Sequence, residues 1–201
     1  MASPSHRDPV ERAVALRSLF CESAAEFGAM RGVMPAELPK PYGGLLDHQS
    51  HMTVAMERFS GSPVGLRVVA SREEPADRKS GRGWYGREIL LFLPDGTVIQ
   101  YGIVRIDLGR VDAATAAAIR EARIPLGRIL IAAGVLRDVH DVSLIEVFPG
   151  PHLQALFQPQ AAGTSGKQAT YGRVAEISLD GMPAVELLEI AAPGLLPKVL
   201  R

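Results

Sequence analysis

The feature that most constrains this chain is a pair of apolar runs, Ala169–Leu179 and Met182–Ala191, interrupted only by Asp180-Gly181. Two residues can reverse a strand only into an antiparallel neighbour, because a parallel return needs a crossover of about a dozen residues. Pro94-Asp95-Gly96 sets the same arrangement between Trp84–Leu93 and Thr97–Leu108. His51–Phe59 and Val64–Ala70 read as a further strand pair around Gly61-Ser62-Pro63, and Val139–Phe148 as another strand. Helical segments fall between them. Asp112 caps the alanine-rich stretch to Ala122, Pro125–Ala133 runs up to Gly134, and His152–Phe157 makes one turn. The pattern is α+β, with about six antiparallel strands and inserted helices. There is no internal repeat, and no alternating rhythm of the kind that builds a doubly wound sheet.

Ahead of the strands, Asp8-Pro9 has the form of an N-cap followed by proline in the first helical turn. Val10, Ala13, Val14, Leu16, Phe20, Ala24 and Phe27 then recur at helical spacing up to Gly28, predicting one helix. Residues 34–46 hold Pro35, Pro39, Pro41, Gly43 and Gly44 and predict a loop.

Charge and cysteine content narrow the function classes. Lys+Arg is 22 and Asp+Glu is 22, so the formal net charge is zero, which argues against a protein that coats nucleic acid or an anionic membrane. The single cysteine, Cys21, excludes an intramolecular disulfide and a multi-cysteine metal site, and reads as a packed thiol. The first 20 residues scatter charges where a secretory signal would be apolar. Ile129–Leu136 is too short for a membrane span and is flanked by Arg128 and Arg137. A cytoplasmic protein is expected.

Several chemical motifs fall short. Gly163-Thr164-Ser165-Gly166-Lys167 has two residues between its glycines where a phosphate loop needs four. Asp47, His48 and His51 could meet at a metal, but without the helical frame of a zinc protease, so no metal is expected. The informative residues are charges inside apolar strands. Alternation in Trp84–Leu93 puts Arg87 with Tyr85, Ile89 and Leu91, and Glu88 with Leu90 and Phe92 on the other face. One of the two must point into the interior, where a guanidinium requires a carboxylate or another oxyanion. Glu186 and Glu189 lie three apart in the last strand, on opposite faces, and periodicity does not choose between them.

These segments together resemble the chorismate pyruvate-lyase family. His51-Met52-Thr53 is similar to the start of its first sheet strand, and Gly86-Arg87-Glu88-Ile89-Leu90-Leu91 to its Arg-Glu-Ile-Leu-Leu strand. Pro125-Leu126-Gly127-Arg128-Ile129-Leu130 resembles a third family segment, and Tyr171-Gly172-Arg173 with Asp180-Gly181-Met182-Pro183 its final hairpin. The resemblance spans about residues 45–192. It divides the chain into a tail, helix and loop (1–45), a lyase-like domain (46–192) and a C-terminal tail (193–201).

The resemblance implies an antiparallel sheet with helical flaps over a buried ligand site. It also implies a cofactor-independent carbon–oxygen lyase that eliminates pyruvate from chorismate to leave 4-hydroxybenzoate. Arg87 would hold the ring carboxylate, and Glu189 would act at the ether or phenol oxygen. Met52 with Leu126 or Gly127 would contribute main-chain contacts from the flaps. Glu186, reached through a strand bulge, and His51, an extra base near the flap, are the alternative site residues. The other reading is a non-catalytic binder of aromatic acids, since the same fold resembles the ligand-sensing domain of some bacterial transcription regulators. Those sensors follow a winged helix-turn-helix, for which the segment before His51 is too short and too neutral. The expected partner is therefore a small molecule, with no nucleic acid, no membrane and a monomeric state.

Overall fold

The computed structural model describes residues 8–74, 83–135, 137–157 and 168–195. The phosphate-loop look-alike at 163–167 lies outside them. Seven strands form one antiparallel sheet: β1 (Gly28–Val33), β2 (Gly65–Glu74), β3 (Trp84–Phe92), β4 (Val98–Asp107), β5 (Arg137–Pro149), β6 (Thr170–Leu179) and β7 (Met182–Ala191). Their order is β1-β5-β6-β7-β4-β3-β2. The α+β class expected from the turn dipeptides is the one observed. Asp180 and Gly181 carry φ of 48° and 78°, the paired positive values of the tight hairpin turn that Asp-Gly favours.

Seven helices cover the two faces: α1 (Pro9–Arg17), α2 (Ala24–Phe27), α3 (Tyr42–Leu46), α4 (Met52–Ser60), α5 (Ala113–Glu121), α6 (Leu126–Ala132) and α7 (Pro151–Phe157). On the back face, Leu90, Tyr101, Ile103, Val174, Leu188 and Ile190 pack against α1, Phe27 and α7. On the front face one apolar cluster gathers under α5 and α6 and a second under α3 and α4. Alternation along each strand assigns these sides, so consecutive residues serve different layers. Among the described residues no helix is long and apolar enough to cross a membrane.

Four segments differ from the sequence expectation, the first being the end of the expected 34–46 loop, where Tyr42–Leu46 forms α3 because Tyr42, Leu45 and Leu46 bury against the sheet. His51–Phe59 is a helix, not a strand. Met52, Met56 and Ser60 are buried at four-residue spacing, and Gly61, at φ 63°, closes the helix with its N–H on Glu57 O. The β-branched Thr53 and Val54 and the Gly-Ser-Pro turn had favoured a strand, and helical packing on the sheet overrides them. The expected N-terminal helix is broken. Asp8 does cap α1, its Oδ1 accepting from Val10 N at 2.7 Å, but α1 stops at Arg17 and Ser23 caps the separate α2 through Glu26 N. Residues 28–33 then form β1, pairing with β5 from Gly28↔Pro149 to Val33↔Leu144 and adding the seventh strand. Gly-Ala-Met-Arg-Gly-Val has little strand character of its own, and the open edge of the 13-residue β5 imposes it.

Candidate functional site

β3 places two charges in two interiors. Arg87 and Glu88 are 0% and 2% exposed, on opposite faces. The sequence required one inward charge and the structure has two. On the back, Glu88 Oε1 accepts from Tyr101 Oη at 2.7 Å and contacts His152 Nε2 at 2.6 Å, so its charge is met. On the front, Arg87 Nη1 donates to Ile119 O of α5 at 3.3 Å, while Nε and Nη2 are buried without a partner among the described residues. Desolvation draws the guanidinium below its ordinary range, with Tyr85 acting weakly in the other direction. Nε–H and Nη2–H are the parallel edge of the guanidinium, the pair that binds a carboxylate or phosphate through two oxygens. The one bond to Ile119 fixes the plane of that edge. Its surroundings are apolar: Tyr85, Ile89, Val104, Ile119 and Leu187 belong to the cluster around it.

Two strands away lies a second charged group. Glu189 pairs with Gly102, which pairs with Ile89, two residues along β3 from Arg87. By strand spacing the Arg87 and Glu189 backbones stand about 10–12 Å apart on the front face, with β4 as the floor between them. Glu189 Oε2 accepts from Arg173 Nε at 2.8 Å, and Arg173 is fully buried. Arg173 also donates to His48 O at 2.7 Å, to Ser50 O at 2.9 Å and toward His48 Nδ1 at 3.2 Å. It therefore fixes both Glu189 and the loop leading into α4. Gly172 makes this register possible, because a Cβ there would lie 2.6 Å from Glu189 O. Glu186 points to the back, where Arg105 Nη1 holds it at 3.1 Å.

The roof comes from α4 and α6. Met52 and Leu126 are 2% and 6% exposed, and the Gly127 backbone lies against the His51 ring, where a Cβ would be 3.1 Å from Cγ. His51 Nε2 accepts from Arg137 Nε at 2.6 Å. His48 contacts Leu45 O through Nε2, and its Nδ1 accepts from Ser50 N. Burial first, then Arg173 for His48 and Arg137 for His51, pull both imidazoles below their ordinary range. The two histidines are thus engaged with protein groups and do not converge on an ion site with Asp47.

The structure brings Arg87, Glu189, His51, Met52, Leu126 and Gly127 to one side of the sheet and sends Glu186 to the other. Sequence reasoning missed Arg173 as the partner of Glu189. A regular two-residue hairpin would set Arg173 opposite Leu188, but a bulge between Ile177 and Ser178 shifts the pairing by one. It also missed Arg137 and the Ile119 carbonyl, which lie on elements with no local signal of either contact.

Two solved structures, PhnF and its effector domain, define the class of fold. PhnF from Mycobacterium smegmatis matches with a TM-score of 0.53 at 16% identity, over 74% of this chain and 65% of that one. Its effector domain alone matches at 0.53 and 15%, over 72% and 88%. A GntR-family transcriptional regulator from Enterococcus faecalis V583 matches at 0.49 and 12%, over 68% and 99%. This chain therefore spans about 65% of full-length PhnF and corresponds to the effector part. No protein-family model matches the sequence, and no curated protein matches it either. The fold is that of the PhnF effector domain, consistent with the lyase-like architecture that the motifs resembled. The expected carbon–oxygen lyase is corrected by these neighbours, which are PhnF and its effector domain and not lyases. The catalytic roles assigned to Arg87 and Glu189 fall with it.

Proposed function

We propose that this chain is an effector-binding domain for a small organic acid, held on the front face of the sheet beneath α4, α5 and α6. The observation that carries this reading is the buried, unpartnered edge of Arg87. A guanidinium without an anion is costly in an apolar interior, and the missing partner has the shape of a carboxylate. Apolar neighbours favour a ligand with a ring or aliphatic body, and the neutralised Glu189–Arg173 pair at the far end favours a polar tip over a second charge. Met52, Leu126 and Gly127 close over that body. The likeness to the PhnF effector domain supports a sensing role and, through it, a place in gene regulation. Calorimetric titration with 4-hydroxybenzoate, and with inorganic phosphate for comparison, tests the reading. Saturable binding of the aromatic acid that Arg87→Met weakens by at least about tenfold is expected, from the loss of a charge-assisted bidentate contact. Unchanged affinity in that variant, or no binding by the wild type, refutes it.

A further inference from the structure

His51 is tied to three elements at once. It is the N-cap residue of α4, yet its side chain makes no capping bond. Its Nε2 instead accepts from Arg137 on β5, which is itself anchored through Nη1 to Val135 O at 3.4 Å. The ring rests on Gly127 of α6, and the adjacent Arg128 is ion-paired with Glu57 of α4. A cleft of about 570 Å³ runs along this seam, with Ser50, His51 and Val54 on one bank, Ile131 and Gly134 on the other, and Arg137 at its base. Beyond its apolar packing and the grip of Arg173 on the loop before α4, the roof is tied by the Arg128–Glu57 and His51–Arg137 contacts, of which the second alone depends on an imidazole lone pair. A nitrogen that accepts from a guanidinium cannot carry a proton of its own.

We infer that His51 is a positioning residue that holds the α4–α6 roof closed over the Arg87–Glu189 floor, and that it does so only when uncharged. This deepens the proposed effector site and rests on it for its ligand-binding half. Protonation would set an imidazolium against Arg137 and replace the lone pair by a second donor. The other charges facing the ring give limited relief. Glu189 of β7 is engaged by Arg173 of β6, Glu57 of α4 by Arg128 of α6, and Asp138 of β5 lines the same cleft. Burial and Arg137 already disfavour the charged form, so the roof is intact at and above the ordinary histidine value of 6.5 and is lost as pH falls through the lowered one. A bound acid would be retained near neutrality and released in acid.

The test is amide hydrogen exchange of α4 and α6 at about pH 7.5 and about pH 5.5, corrected for the intrinsic pH dependence, on wild type, His51→Gln and Arg137→Gln. Glutamine at 51 keeps an acceptor for Arg137 and does not titrate, while glutamine at 137 can face either form of the imidazole. Wild-type protection of both helices should fall several-fold, up to about tenfold, in acid while β4 and β7 stay protected, and both variants should be nearly flat with pH. No acid loss in the wild type, or an equal loss in the variants, overturns the inference. If either variant leaves β4 and β7 unprotected it is unfolded, and the other decides. 4-Hydroxybenzoate affinity, followed over the same interval, should track the exchange in the wild type alone. PH-dependent exchange without any binding would sink the effector reading and leave the His51 contact standing, whereas binding that ignores pH would do the reverse.

Discussion

Arg87→Met separates a ligand-binding arginine from a structural one by the sign of a stability change. The side chain is 0% exposed, and two of its three guanidinium nitrogens have no partner. Each unmade buried donor costs about 1–3 kcal/mol, while the single 3.3 Å bond to Ile119 O returns about 1 kcal/mol. Methionine fills much of the same space without donors or charge, so the ligand-free protein should gain about 2 kcal/mol. For a chain of this length that raises the midpoint by about 4–8 °C. Urea denaturation without added organic acid measures the gain, and titration of 4-hydroxybenzoate measures the accompanying loss of binding. A structural arginine would behave oppositely, since removing one member of a buried pair costs about 3–5 kcal/mol. Destabilisation of Arg87→Met by more than about 1 kcal/mol would refute the argument, because it would mean that the apparently orphaned edge has a partner.

The other predictions concern the groups around that site. Glu189→Leu should cost about 3–5 kcal/mol in urea denaturation, because it leaves Arg173 buried and without its counter-ion. Glu186→Leu breaks only the half-exposed pair with Arg105 and should cost about 1 kcal/mol or less, with acid binding unchanged. Gly127→Ala should destabilise by about 1–2 kcal/mol and weaken the roof, since its Cβ would stand 3.1 Å from the His51 ring; loss of α6 amide protection is the readout. His152→Ala should destabilise by about 1–3 kcal/mol through Glu88 while leaving 4-hydroxybenzoate binding intact, because that contact lies on the back of the sheet.

The antiparallel sheet was legible because tight turns and alternation are local. Asp180-Gly181 announces its hairpin without reference to anything distant, and so does the face that each strand residue occupies. β1 was illegible for the opposite reason. Its six residues become a strand only beside β5, more than 100 positions later in the chain. The α4 segment mixed β-branched residues with a four-residue apolar spacing, and the deciding fact was which surface it would bury. At the site, alternation turned one of Arg87 and Glu88 inward and left Glu186 and Glu189 on opposite faces, but it chose neither glutamate and said nothing of their partners. The Arg173–Glu189 contact depends on one bulge, which slides the register by a single residue and has no sequence signature here.

That last gap explains why the motifs pointed to a lyase while the proposed function is that of a binding domain. An inward arginine and an inward glutamate, taken as unpartnered, are the ingredients of an acid–base reaction on an anionic substrate. Pairing changes what each can do. Glu189 is drawn onto Arg173, whose remaining donors grip the backbone of His48 and Ser50, so the carboxylate serves to fix the loop beneath α4. Glu88 is likewise occupied, by Tyr101 and His152. Of the inward charges on β3 and β7 only Arg87 keeps a free binding edge, and a guanidinium positions oxyanions without exchanging protons at ordinary pH. One cation among apolar side chains, with the neighbouring acids already paired, is the feature on which the proposed carboxylate site rests. The adjacent residues Arg87 and Glu88 show the distinction within a single dipeptide. Both are buried and both are charged, but the one with partners builds the fold, and the one without is where the proposed ligand would bind.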